Sequence, residues 1–206
     1  CHQFPQEQAI NGKPLENTVQ EWKESRFFTS KTTCQSCHMP YRRHEFKGIH
    51  DPQMVKGGLD IQLTIDQGIA QLAIHSVAIG HAFPTYVTPK VVVTATALNA
   101  KGKSLHDWQW EIIREVRYHQ GWKEVRDTRI MPDETRIYEA DQVPAKTHAV
   151  RFHIQVIPDY FYRGVYEQLL AEKQRPEAKK LLGIALERTH KSAFTLFDQV
   201  INLPKK

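Results

Sequence analysis

The run Cys34-Gln35-Ser36-Cys37-His38, followed by Met39-Pro40, constrains this chain more than any other stretch. Cys-x-x-Cys-His is the attachment sequence for c-type haem. Two thiols three positions apart each form a thioether to one vinyl group on a haem edge, and the adjacent histidine lies under the ring where its nitrogen binds the iron. Two other readings of the cysteines are weaker. A zinc site needs a second Cys or His pair at ligand spacing, and no cysteine follows Cys37. A redox dithiol motif follows a strand and opens a helix, whereas Lys31-Thr32-Thr33 offers no apolar strand.

A chain of 206 residues suffices for one large domain or two small ones. No run of 18 apolar residues exists, so no membrane-spanning helix is expected. No signal peptide stands in the sequence as given, which fits a processed chain as well as a cytoplasmic one. The net charge of +5 is spread along the chain. Without a Lys/Arg block it reads as solvated surface and points away from nucleic acid. The start at Cys1-His2 is open to three readings: the tail of a second Cys-x-x-Cys-His, a lipid-modified cysteine that anchors the chain to a membrane, or an ordinary terminal thiol.

Along the chain, residues 3–14 hold Pro5, Gly12 and Pro14 and read as loop. Thr18 and Glu21 match a capping box, predicting a helix through about Phe27. Trp22 and Phe27 or Phe28 are candidates to pack on a porphyrin or on protein core. Residues 41–52 read as an ordered loop, in which Arg42 and Arg43 are candidate partners of haem propionates. From Leu59 the period changes to two. Strands are expected over 59–65, 69–79, 90–98, 105–118, 122–130, 135–143 and 150–156, with turns between them. Seven short strands of this kind argue for an antiparallel, immunoglobulin-like β-sandwich. Residues 160–173 and 177–191 read as helices, and 194–203 as a further short apolar stretch. The expected fold is therefore α+β. A haem-binding loop and helix segment occupies 1–57, the sandwich 58–158, and a C-terminal helical segment 159–206.

Eleven histidines supply many candidate ligands. His38 is the proximal ligand by its place in the motif. For the sixth position His44 and His81 are equal candidates, with His50 next. All three stand in loops after the motif. His2 joins the metal ligands if Cys1 and His2 hold a second haem. Met39 and Met54 are thioether alternatives that would raise the potential.

The order Glu21-Trp22-Lys23-Glu24-Ser25, Cys34 to Pro40, His44 to Pro52, and Gly80-His81-Ala82-Phe83-Pro84-Thr85 resembles the C-terminal part of bacterial multihaem c-type cytochromes of the cytochrome c554/c-prime group. Tyr86 stands where that pattern has glycine. The resemblance implies a last haem followed by a β-sandwich and terminal helices, bis-histidine ligation, electron transfer, and export to the periplasm or beyond. One haem c is expected, at Cys34, Cys37 and His38, with a second at Cys1 and His2 if that start is a motif remnant. Redox proteins or other haem-bearing chains are the expected partners. Membrane association is expected only with a lipid on Cys1. Two alternatives stay open: a haem enzyme with an open distal site, of the nitrogen-oxide reductase or peroxidase type, and a β-sandwich docking module that carries a relay haem.

Overall fold

The computed structural model describes residues 2–43, 45 and 47–204. The N-terminal part carries a minimal hairpin, β1 (Ala9–Ile10) and β2 (Lys13–Pro14), then four short helices: α1 (Thr18–Lys23), α2 (Arg26–Thr29), α3 (Cys34–His38) and α4 (Pro52–Gly58). The expected single helix from 18 to 27 is two. Ser25 ends the first and caps the second, its side chain accepting the Phe27 N–H. The expected capping box is not formed. Asn17 is the N-cap of α1, and Glu21 turns to contacts across the molecule.

The β-region is antiparallel throughout. One sheet holds, in spatial order, β11 (Phe194–Asn202), β10 (Ala149–Ile157), β5 (Lys90–Leu98) and β6 (Ser104–Ile112). The other holds β3 (Leu59–Asp66), β4 (Ile69–Ser76) and β9 (Thr135–Ala140). Alternation puts every second residue into one core. Val91, Val93 and Ala95 of β5 lie opposite Val156, Ile154 and Phe152 of β10, all buried. The small Ala95 lies beside the large Phe152, and both are buried. Leu72 and Ile74 of β4 and Tyr138 of β9 close the core from the second sheet.

The strand expected over 105–118 is interrupted. Ile112 and Ile113 are adjacent and both buried, which a period of two does not permit. There the chain leaves β6 and starts a separate hairpin, β7 (Arg114–Tyr118) with β8 (Trp122–Asp127). After β10 come α5 (Tyr160–Ala171) and α6 (Pro176–Lys191), with Pro176 in the first turn. Arg163 donates to the Thr189 carbonyl at 3.2 Å and ties the two helices. Leu181 of α6 is exposed. The segment from 159 onward is not helical to its end. Phe194–Asn202 returns as an edge strand beside β10. A register shift at Ile154/Gln155 breaks its alternation, and Leu196 and Phe197, neighbours in sequence, both pack on the core.

Candidate functional site

Thr33 starts the helix that carries the motif: its side chain accepts the Ser36 N–H. Cys34 and Cys37 stand on this one turn with exposed thiols, unbridged by a disulfide. The chain entering the turn is braced by Trp22, whose indole N–H donates to the Thr32 carbonyl at 2.9 Å while its ring meets Phe28 edge-on.

His38 closes the helix. Its Nδ1–H donates to the Lys47 carbonyl at 2.5 Å. His81, between β4 and β5, uses its own Nδ1–H on the Ala82 carbonyl at 2.9 Å. In both rings the donated proton fixes the tautomer with its lone pair on Nε2, the arrangement by which outer contacts orient metal-binding imidazoles. The two rings lie 6.1 Å apart, centre to centre, with their planes within 14° of parallel. A metal–imidazole bond is about 2 Å, and a ring centre lies about 1 Å beyond its nitrogen, so two trans imidazoles on one metal place their centres about 6 Å apart. Burial drives the His81 pKa down to about 4, with the neighbouring His38, His2 and Arg129 charges acting in the same direction. His81 is therefore neutral, the form that ligates, across the physiological range.

The loop that presents His81 is pinned on every side. Phe83 exchanges two backbone hydrogen bonds with Ile130, at 2.8 and 2.9 Å. The Ala82 N–H donates to Glu21 Oε2 at 3.1 Å. Arg129 donates to Glu21 Oε1 at 2.9 Å and to the Thr85 carbonyl at 2.6 Å. Its other two nitrogens hold Asp127 at 2.9 Å each. Gly80 lies against Phe27, where an added Cβ would sit 3.3 Å from the ring. Nothing in the sequence singles out Arg129 or Asp127, which are 108 and 106 residues from Glu21.

The structure thus brings His81 to His38. His50 instead places Nε2 3.0 Å from Asp159 at the surface. His2 is exposed and close enough to His81 to act on its charge state. Cys1 and His44 lie outside the described residues. Met54 lies in α4, and Met39 follows α3. Arg43 is exposed and 3.5 Å from Glu45. Among the described residues no group of three or more metal-binding side chains converges. A haem held by one pair of histidines asks for none. Two exposed thiols on one turn, a motif histidine and a second histidine whose ring centre lies 6.1 Å away would fit a haem c.

No protein-family model matches the chain, and no curated protein matches it. Among solved structures the chain is similar to a penta-haem cytochrome c552 from Thermochromatium tepidum, with 23% identity and a TM-score of 0.65. The match covers 98% of this chain and 54% of that one, so the chain spans about half the length of that structure. The likeness is one of fold. No helix among the described residues is long and apolar enough to cross a membrane.

Proposed function

We propose that the chain is an electron-transferring c-type cytochrome, or one segment of a multihaem cytochrome of the c554/c-prime kind. Cys34 and Cys37 would hold the haem through thioethers, and His38 and His81 would be its two axial ligands. The single observation that carries this reading is the His38–His81 pair, 6.1 Å apart with near-parallel planes. The haem would supply a one-electron redox centre. The protein does the rest. Lys47 and Ala82 carbonyls fix the two imidazole tautomers, and the pinned loop keeps His81 in place. A second nitrogen ligand would leave no open iron site for a substrate, which favours relay over catalysis.

The second haem belongs to the same proposal. It would be held at Cys1 and His2. Redox partners and export to the periplasm or the cell exterior follow from this reading.

The test is the optical spectrum of the reduced, haem-loaded protein with and without carbon monoxide. A low-spin spectrum unchanged by the gas is expected, and His81→Ala should bind it. Rapid binding by the unmodified protein would replace the carrier with the open-site enzyme.

A further inference from the structure

Glu21 and Arg129 are each only 4% exposed. Taking two charges out of water costs several kcal/mol per ion before their attraction offsets it. A pair this deep therefore needs a reason beyond solubility. Its contacts give one: among the described residues, every side-chain hydrogen bond it makes outside itself and Asp127 goes to the backbone of the loop carrying His81. Glu21 accepts the Ala82 N–H, and Arg129 donates to the Thr85 carbonyl. The two groups thus grip the loop on both sides of Phe83 and Pro84. Thr18, three residues before Glu21, meets Thr85 hydroxyl to hydroxyl at 2.5 Å. Asp127 keeps Arg129 flat against this position through two parallel bonds.

We propose that the Glu21–Arg129 pair is a positioning device for the distal ligand: a latch between the helix ahead of the haem motif and the sandwich loop that offers His81. The inference rests on the axial role of His81 proposed above. Neither residue touches the iron. Both act by holding the backbone to which the His81 ring is attached and hydrogen-bonded. Disturbing an outer partner of a ligating histidine typically weakens metal binding by about 10–100-fold. The latch should act on the ligand by a similar factor.

The test uses the haem-loaded chain in four forms: unmodified, Arg129→Met, Glu21→Gln and His81→Ala. Arg129→Met removes the loop contact at Thr85 and leaves Glu21 without its counter-charge. Carbon monoxide should then bind the reduced iron about 10–100-fold faster than in the unmodified chain. Backbone amide exchange at residues 80–85 should accelerate with it. Glu21→Gln keeps an acceptor for the Ala82 N–H and the shape of the side chain, so it should open the site less. It also decides the matter if Arg129→Met fails to fold. His81→Ala sets the fully open limit. If His81→Ala opens the iron while the folded latch variants bind and exchange like the unmodified chain, the latch is refuted and the axial assignment stands. If His81→Ala leaves the iron closed, the axial assignment falls and the latch with it.

Discussion

Arg114, whose side chain is fully buried, offers the sharpest test of how the N-terminal segment is held to the sandwich. From β7 its guanidinium donates to the Ile10, Lys13, Pro14 and Leu15 carbonyls, and to Glu124 at 2.8 Å. It organises the β1–β2 hairpin from beneath, and Arg114→Met removes all of this at nearly constant volume. Breaking a buried ion pair by deleting one partner costs about 3–5 kcal/mol. Glu124 would keep Asn11 at 2.8 Å and Lys13 at 3.4 Å, both on the same hairpin. The low end, about 3 kcal/mol, is therefore expected, or a fall in Tm of about 6–12 °C for a chain of this size. The stranded carbonyls regain partners only by reaching water, so the hairpin should lift. Amide exchange over residues 9–15 should rise before the sheets are affected. Circular dichroism gives the Tm, and exchange by mass spectrometry gives the locus. Arg114→Lys should recover little, because one ammonium does not span the carbonyls that the planar fork reaches. A Tm within about 2 °C of the parent, with residues 9–15 still protected, would refute the reasoning.

Three further outcomes are expected. Acid–acetone extraction of the denatured, haem-loaded chain should leave colour on the polypeptide, and extraction of all the haem would contradict attachment through Cys34 and Cys37. Gly58→Ala places a Cβ 2.7 Å from Ile79 Cγ1 and should destabilise by about 1–3 kcal/mol in urea unfolding, with partial recovery on adding Ile79→Val. Burial raises the Asp127 pKa, but the hydrogen bonds and charges of Arg129 and Lys13 outweigh it and hold the carboxyl well below its ordinary 3.8. The unfolded chain then takes up the proton first as pH falls. The stabilisation is complete above about pH 5 and drains away through pH 3.8 and below. The difference in urea midpoint between the parent and Asp127→Asn should therefore shrink between pH 6 and pH 3, and a constant difference would count against it.

The sequence showed most where one rule governed a whole segment. The alternation of β5 and β10 located both strands closely, because each buries one face along its full length. It misled where burial changed face within a run. Ile112 and Ile113 look like one continuing strand, but there the chain leaves β6 for a new hairpin. Leu196 and Phe197 fit no single period because a register shift turns both toward the core. For the candidate site, motif spacing nominated Cys34, Cys37 and His38, and loop position made His81 one of several candidates. Glu21 suggested a local capping role, but its partners Ala82 and Arg129 lie 61 and 108 residues away. Contacts of that range leave no mark in local pattern.

In the proposed ligation the two ends of the His38–His81 pair are 43 residues apart, with β3 and β4 between them, while His44 and His50 stand only 6 and 12 residues from His38. Closing the longer loop forfeits about 1–2 kcal/mol more chain entropy than closing either shorter one. In an unfolded haem-bearing chain, chain entropy would therefore favour the nearby histidines as ligands. Only once β4 and β9 have paired, and Phe83 has joined Ile130, does the longer closure come at no further entropic loss. Iron coordination by His81 would then be a late readout of sandwich assembly.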